Sequence, residues 1–203
     1  MDGCDINQRD CVDNTPLAWA ARHGQERVVE MLRKRGDISP DMPGEDGQTP
    51  LWLAAWNGCE GVVKMLLERD KVNPDTQDDF DRTPLLEAAW RGHEGVVKML
   101  LERNGVNPVE PDNVGGAPLE CSYNGHEGVV KMLLGRGEVN PDKHDYDVRT
   151  PLFFAAWNGH EGVVKMLLKR DEVNAGKPDN DGQTPLWSAT YNRHEGVCGR
   201  NTS

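Results

Sequence analysis

The segment Thr83–Arg103, TPLLEAAWRGHEGVVKMLLER, decides the fold of this chain. Its first part predicts a short helix, because the Thr83 hydroxyl can cap a helix and Pro84 suits the first helical position, where an N–H has no intrahelical partner. Gly92 then suits the left-handed conformation that often ends a helix. Beyond Gly92, apolar residues recur three and four positions apart, which predicts a second helix with one apolar face. The segment therefore encodes two short helices joined by a turn.

Neither helix is long enough to be stable alone. Isolated helices shorter than ~12–15 residues are marginal in water, so each pair must be stabilised by another pair packed against it. The chain repeats the segment at intervals of 34, 34, 34, 33 and 34 residues, measured between Thr-Pro or its equivalent. The six starts are Thr15, Thr49, Thr83, Ala117, Thr150 and Thr184. The heptapeptide Gly-Val-Val-Lys-Met-Leu-Leu recurs verbatim from Gly61, Gly95, Gly128 and Gly162. Periods of this length predict a solenoid of stacked repeats.

These copies resemble the ankyrin repeat, whose pattern is a turn, a Thr-Pro-Leu helix start, and two antiparallel helices with Gly-His between them. The resemblance covers nearly the whole chain. It implies an all-α solenoid of stacked helix-turn-helix units with β-hairpin fingers, forming one domain over residues 1–203. The expected repeats are approximately 4–37, 38–71, 72–105, 106–138 and 139–172, with an incomplete sixth at 173–203. The Asn-Pro turns also resemble those of long ankyrin arrays in fungal signalling and NACHT-type receptor proteins; they lie at Asn73, Asn107 and Asn140.

The fourth copy departs from the pattern in two ways. Ala117 replaces the capping threonine, and APLECSYNG is one residue shorter than TPLLEAAWRG. One residue corresponds to about 100° of rotation on an α-helix. We therefore expect a distorted or shortened first helix in this copy. The sixth copy runs out soon after its first helix, so we expect no full second helix there.

Composition and charge exclude several classes of function. The 23 Lys and Arg residues against 34 Asp and Glu residues give a net charge of −11, and an acidic surface repels phosphate, so we expect no nucleic-acid partner. No apolar run approaches the ~18 residues of a membrane span, so we expect no membrane partner. Five scattered cysteines, no CxxC pair and no leading signal segment indicate a reducing compartment. We expect a cytoplasmic location, with the nucleus as the alternative.

Two patterns suggest metal binding, but neither has the spacing that a metal site needs. Carboxylates such as Asp78 and Asp81 crowd the expected fingers, yet no segment has the twelve-residue calcium loop with its terminal Glu. Cys4, Cys11 and His23 do not have a recognised zinc spacing. We therefore expect turn-forming aspartates, free thiols, no metal and no cofactor.

The resemblance also implies where a partner binds. In ankyrin proteins the two positions before the Gly that ends the first helix face a concave groove and commonly contact partners. The first of these positions holds Arg22, Trp56, Trp90, Tyr123, Trp157 and Tyr191. The second holds His23, Asn57, Arg91, Asn124, Asn158 and Asn192. Exposed aromatic residues are frequent interface anchors, and we expect these to follow the helix spacing of about 8–10 Å. Secondary contacts are expected near the finger tips, from Phe80, Arg82, Tyr146 and Arg149.

Other repeated side chains have structural interpretations. Trp52, Phe153 and Trp187 lie earlier on the first helices, and we expect them to pack in the core or between repeats. A histidine follows the helix-ending glycine in most copies, and in this family it bonds the backbone of a neighbouring repeat. These histidines are His93, His126, His160 and His194. The groove aromatics could also serve packing, since a large ring can cover the alanine face of the next helix, and both roles stay open.

Three hypotheses follow for function. The first is a protein–protein interaction module, without catalytic activity, that binds a basic or mixed-charge protein or peptide in the concave aromatic groove. The second is small-molecule binding, or an atypical enzyme, near the irregular fourth repeat, which would need a closed pocket of about 300–1,000 Å³. The third is a passive section of a larger array. Leu17, Trp19, Val28 and Val29 have no earlier repeat to cover them, so end-to-end association is also expected to be possible.

Overall fold

The computed structural model describes residues 5–69 and 71–198, and within these ranges it contains eleven α-helices, two 3-10 helices and no strand. The first three copies hold α1 (Pro16–Arg22), α2 (Glu26–Arg33), α3 (Pro50–Trp56), α4 (Glu60–Leu67), α5 (Pro84–Arg91) and α6 (Glu94–Leu101). The last three hold α7 (Glu127–Leu134), α8 (Pro151–Trp157), α9 (Glu161–Leu167), α10 (Pro185–Tyr191) and α11 (Glu195–Cys198). The 3-10 helices are Glu45–Gly47 and Pro118–Tyr123.

The first helix of each regular copy begins as the sequence predicts. Its threonine hydroxyl accepts a hydrogen bond from the amide three residues later; for Thr49 this donor is Trp52 N–H, at 3.2 Å. The same cap is present at Thr15, Thr83, Thr150 and Thr184. Proline follows each cap at the first helical position, where its missing N–H costs nothing.

The described residues form two compact units, one holding residues up to 88 together with 93–107, the other holding 89–92 and the residues from 108 onward. In the first unit α1 packs on α3, α2 on α4 and α4 on α6. In the second unit the 3-10 helix 118–123 packs on α8, α8 on α10 and α7 on α9. Helices of successive copies therefore pack on one another in each unit, which confirms the all-α stacked-repeat fold.

The core consists of the apolar faces that the repeat predicts. Helices α4, α6 and α7 each bury two valines and two leucines, and the alanines of the first helices are buried, which brings neighbouring helices close together. The expectation of an exposed apolar face on the first copy is wrong for Leu17 and Val29, which are buried because α1 and α2 pack on α3 and α4. Trp19 and Val28 are exposed as expected.

The shortened first helix of the fourth copy is confirmed, since Pro118–Tyr123 is a 3-10 helix. This geometry compensates for the missing residue. Five steps of a 3-10 helix turn through about 600° and rise about 10 Å. Six steps of an α-helix, the Pro84-to-Trp90 interval, turn through the same ~600° and rise about 9 Å. Tyr123 therefore keeps the direction that Trp90 has, and the 100° rotation is not transmitted.

The connecting segments form turns among the described residues, in place of the β-hairpins that the resemblance implies. Each turn is a five-residue loop closed by one backbone hydrogen bond, such as Asp78 N–H to Arg82 O at 3.1 Å. The Asp78 Oδ1 also accepts from the amides of Phe80 and Arg82, at 3.0 and 2.9 Å. The loop backbone is thus bonded mainly to itself and to its own aspartate, and no strand forms among the described residues.

Candidate partner-binding site

The second unit carries an unbroken series of aromatic ring contacts. Trp90 stacks on Tyr123 with 5.4 Å between ring centroids, and Trp157 stacks on Tyr191 at 6.5 Å. The two pairs are connected through Phe154, which Tyr123 meets edge-on at 5.8 Å, and through neighbouring Phe153, which stacks on Trp157 at 6.0 Å. We call Trp90, Tyr123, Trp157 and Tyr191 the aromatic row.

The aromatic row is accessible to solvent. Trp90 is 37 %, Tyr123 38 % and Tyr191 67 % exposed, and Trp157 is half-buried. The stacked rings lie closer together than the 8–10 Å expected from helix spacing, because the side chains lean toward each other across the space between helices. In the first unit, Trp56 is half-buried and stacks on Trp52 at 5.2 Å.

Histidines fix the backbone beneath these rings, as predicted from the resemblance. The His126 Nε2 donates to Trp90 O at 3.1 Å, and His160 Nε2 donates to Tyr123 O at 2.9 Å. The same bond joins His194 to Trp157 O at 2.9 Å and His93 to Trp56 O at 3.1 Å. The histidine imidazoles are thus committed to contacts between successive copies.

The polar residues beside the rings have a local role. The Asn57 and Asn158 side-chain amides donate to the carbonyls of Leu53 and Phe154, four residues earlier, at 2.9 and 3.1 Å. The side-chain amides of Asn124 and Asn192 donate to backbone carbonyls of the preceding copy, those of Trp90 and Trp157. These amide N–H groups therefore close helix ends. Arg22, His23 and Arg91 are exposed.

The core positions earlier on the first helices differ between copies. Trp52 and Phe153 are buried, as expected, and Trp52 Nε1 donates to Arg82 O at 3.1 Å. The expectation is wrong for Trp187, which is 42 % exposed and stacks on Tyr191 at 5.0 Å. Trp52 is contacted by Arg82, which belongs to the following copy. In the described part of the chain, no further copy follows that of Trp187.

Arginine and aspartate form a structural pair in two of the loops. Arg82 bonds Asp78, whose side chain is completely buried, and Arg149 bonds Asp145. Among the secondary candidates, Phe80 and Tyr146 have the more exposed side chains, and Tyr146 is 71 % exposed. These pairs were not predicted, although both copies have an Asp four residues before an Arg at the same position in the repeat.

One carboxyl group of the fourth copy has an unusual environment. Glu120 stands at the position of Glu87, which accepts from Arg82 Nη1 at 3.1 Å, but Gly116 replaces the arginine in this copy. Burial, together with the carboxylates of Asp145 and Asp112, raises the pKa of Glu120 to about 8. Burial also raises the pKa of the neighbouring Cys121 thiol, so this cysteine is a core residue rather than a reactive thiol.

A cleft of about 450 Å³ opens beside the aromatic row in the second unit. It is open to solvent, unlike the closed pocket that small-molecule catalysis would need. Its walls are aromatic on one side and carry amides, aspartates and one arginine on the other. They comprise Tyr123, Asp147, Arg149, Phe153, Phe154, Trp157, Asp179, Asn180, Asp181 and Gln183.

Residues 5–69 and 71–198 contain no group of three His, Cys, Asp or Glu side chains arranged to hold a metal ion. Cys4, one of the residues in the zinc alternative, lies outside these ranges, and Cys11 and Cys59 are free thiols. No described helix has the length and apolar character to cross a membrane.

Comparison with known families agrees with the architecture. A family model described as ankyrin repeats (3 copies) matches residues 1–78, 70–145 and 119–199. The chain therefore belongs to the ankyrin repeat family. No curated protein matches it. Ankyrin repeats are in general protein–protein interaction modules and typically non-enzymatic binding scaffolds.

Proposed function

We propose that this chain binds a partner protein through the aromatic row and the adjoining cleft. The supporting observation is that four large rings in successive copies stay accessible, and that the backbone of Trp90, Tyr123 and Trp157 is held by a histidine bond from the following copy. Accessible aromatic side chains on a fixed backbone lose little conformational entropy on binding, and they are the commonest anchors of protein interfaces. In the first unit, Trp56 is a half-buried ring at the equivalent position of its copy.

Charge indicates the class of partner. The chain has a net charge of −11, and the cleft beside the aromatic row is lined by Asp147, Asp179 and Asp181 against a single arginine. Complementary charge accelerates encounter and suppresses wrong partners. We therefore propose a protein or peptide that is basic or mixed in charge.

The test is a double substitution, Trp90→Ala with Trp157→Ala. Affinity capture from a lysate of the source cells should recover a partner with the unchanged chain and lose it with the double variant. Helical circular dichroism and the melting temperature should stay close to those of the unchanged chain, because neither ring is buried. Leu168→Ala, which truncates an exposed apolar side chain outside the aromatic row and outside the expected loop contacts, is the control and should retain the partner.

Two outcomes would contradict this function. Capture that survives the double substitution would place the interface elsewhere. Unfolding of the double variant would show that the rings are needed for the fold; Trp52→Ala, which removes a buried ring, gives the scale of such a loss.

Location and self-association are secondary proposals. We propose a cytoplasmic location, supported by the scattered free thiols. We also propose weak end-to-end association through Trp19, Val28 and Met31, which are exposed on the first copy. Sedimentation of the unchanged chain, compared with a Met31→Glu variant, tests this association.

A further inference from the structure

The third copy contains a binding site for its own arginine. The Arg82 Nε donates to Asp78 Oδ2 at 2.8 Å. Its guanidinium carbon lies 5.3 Å from the ring centroid of Trp52, which belongs to the preceding copy, and 4.9 Å from that of Phe80. A carboxylate at the edge and an aromatic face on one side are what a planar guanidinium requires.

The fifth copy repeats the arginine–aspartate pair, but the ring comes from its own first helix instead of from the preceding copy. The Arg149 Nε donates to Asp145 Oδ2, again at 2.8 Å, and its guanidinium carbon lies 5.3 Å from the Phe154 ring centroid. In both copies the aspartate Oδ1 closes its own loop while Oδ2 receives the arginine. The loop and its neighbouring ring therefore form a guanidinium site wherever an arginine directly precedes the Thr-Pro pair.

The sixth copy has this site without its arginine. The Asp179 Oδ1 closes the loop in the same way, accepting from the amides of Asp181 and Gln183 at 3.0 and 2.8 Å. Gln183 stands at the position of Arg82, and Phe153 stands at that of Trp52. No lysine or arginine of the described ranges forms an ion pair with Asp179, and the cleft opens in front of it.

We propose that the cleft bounded by Asp179, Gln183 and the Phe153–Trp157 stack binds an arginine side chain of the partner protein. Asp179 Oδ2 accepts from the guanidinium, as its equivalents do, and the aromatic faces cover the guanidinium plane. This inference rests on the proposed function, because it assigns one anchor of the partner that the aromatic row binds.

The charges around the cleft favour this occupant. Asp181 adds to the negative charge of Asp179, while Arg149 is neutralised by its pairs with Asp145 and Asp147, at 2.6 and 2.8 Å. Arginine is preferred to lysine because its planar fork donates to a carboxylate while its face stacks on a ring.

The test uses a small probe, so that no partner need be known. Nα-acetylarginine methylamide is titrated into the isotopically labelled full chain, and NMR follows the Trp157 indole N–H and the Gln183 side-chain amide. We expect saturable shifts with a dissociation constant on the order of millimolar, as suits a single anchoring side chain. The corresponding citrulline compound, which has the same shape without charge, should bind at least tenfold more weakly.

Two variants decide the result. Gln183→Arg supplies the arginine from within, as Arg82 does, and should weaken probe binding at least tenfold while leaving the helical signal unchanged. Asp179→Asn removes the charge and should give a similar loss. Equal binding of the citrulline compound, undiminished binding to Gln183→Arg, or no saturation by the probe would each overturn the inference.

Failure of this inference and failure of the proposed function give different results. A partner that is still captured by Gln183→Arg but lost from the double tryptophan variant leaves the aromatic row in place and removes the arginine site. If the double tryptophan variant still captures the partner, the proposed function is wrong, whether or not the arginine probe binds.

Discussion

The Nε2 of His126 donates a hydrogen bond to the carbonyl oxygen of Trp90 at 3.1 Å. The same imidazole lies against Gly92, where an added Cβ would come within 2.5 Å of Nδ1. The backbone beneath the Trp90 indole is therefore held by the following copy, while the ring itself stays 37 % exposed. His126 thus fixes the backbone, and the Trp90 ring is left accessible to solvent.

Removal of this histidine should destabilise the chain without changing its surface. We expect His126→Ala to lower the free energy of unfolding by about 1–3 kcal/mol, because it removes one of the two side-chain donors to the Trp90 carbonyl, leaving only Asn124, and opens a gap beside Gly92. Urea denaturation followed by circular dichroism measures the loss. His23→Ala is the control: this exposed ring only stacks on Trp19, and its change should stay within about 0.5 kcal/mol.

Substitution of two glycines by alanine distinguishes a glycine required for its positive φ from one that is merely close to a side chain. Gly125 has φ +73°, and an added Cβ would come 2.5 Å from His160 Nδ1, so we expect Gly125→Ala to cost about 2–4 kcal/mol. Gly162 lies inside α9, and its Cβ would meet only the end of the flexible Glu127 side chain. Alanine favours helix over glycine by about 1 kcal/mol, so Gly162→Ala should be neutral or stabilising. Equal losses in the two variants would refute this distinction.

Stability should fall as the pH rises from weakly acidic to weakly basic. The pKa of Glu120 rises from its ordinary value of 4.5 to about 8 on folding, so the folded state prefers the protonated acid. The stabilisation that the protonated Glu120 contributes to folding is complete below pH 4.5 and is lost as the pH rises toward 8. Glu120→Gln, which keeps the neutral form, should be more stable than the unchanged chain at pH 8.5, by about 2–4 kcal/mol, and similar to it at pH 4.5.

The measurement is urea denaturation at both pH values. Glu127→Gln serves as the control, because it changes the net charge equally at an exposed position. If both variants gained the same stability at pH 8.5, the cause would be general charge repulsion and not the local environment of Glu120.

The ion pairs of Arg82 and Arg149 should contribute different amounts to the stability of the fold. The Asp78 side chain is 0 % exposed, so Arg82→Gln leaves a buried carboxylate without its partner and should cost about 3–5 kcal/mol. The Arg149 side chain is 38 % exposed, and water can replace part of its pairing, so Arg149→Gln should cost about 1–2 kcal/mol. Thermal unfolding of both variants checks the order, and a reversed order would contradict the burial argument.

Much of the fold is predictable because each copy is encoded locally. The threonine cap, the helix-ending glycine and the apolar period of α6 all lie within 21 residues, and the structure contains each of them. The backbone role of His93 follows from the resemblance and is confirmed. Contacts that depend on a neighbouring copy are less predictable: Trp52 and Trp187 occupy equivalent positions, but one is buried and the other exposed.

The places of the rings on the first helices follow from the repeat, but the contacts between the rings do not. Rings at Trp90 and Tyr123 were expected at helix spacing, and they stack instead, because side-chain torsions are not encoded in the repeat period. The vacant position beside Asp179 could be recognised only after the structure showed what Arg82 does, since Gln183 alone carries no signal in the sequence.

The 3-10 helix of the fourth copy bears on how chains of this kind diversify. The loss of one residue inside a first helix can be accommodated by tighter winding, so that Tyr123 keeps the orientation that Trp90 has. The same deletion in a second helix such as α7 would have no such remedy, because its valines and leucines pack on α9 along their length. Gene variants that lose single residues should therefore survive in the first helices, whereas second helices should be gained or lost only as whole copies.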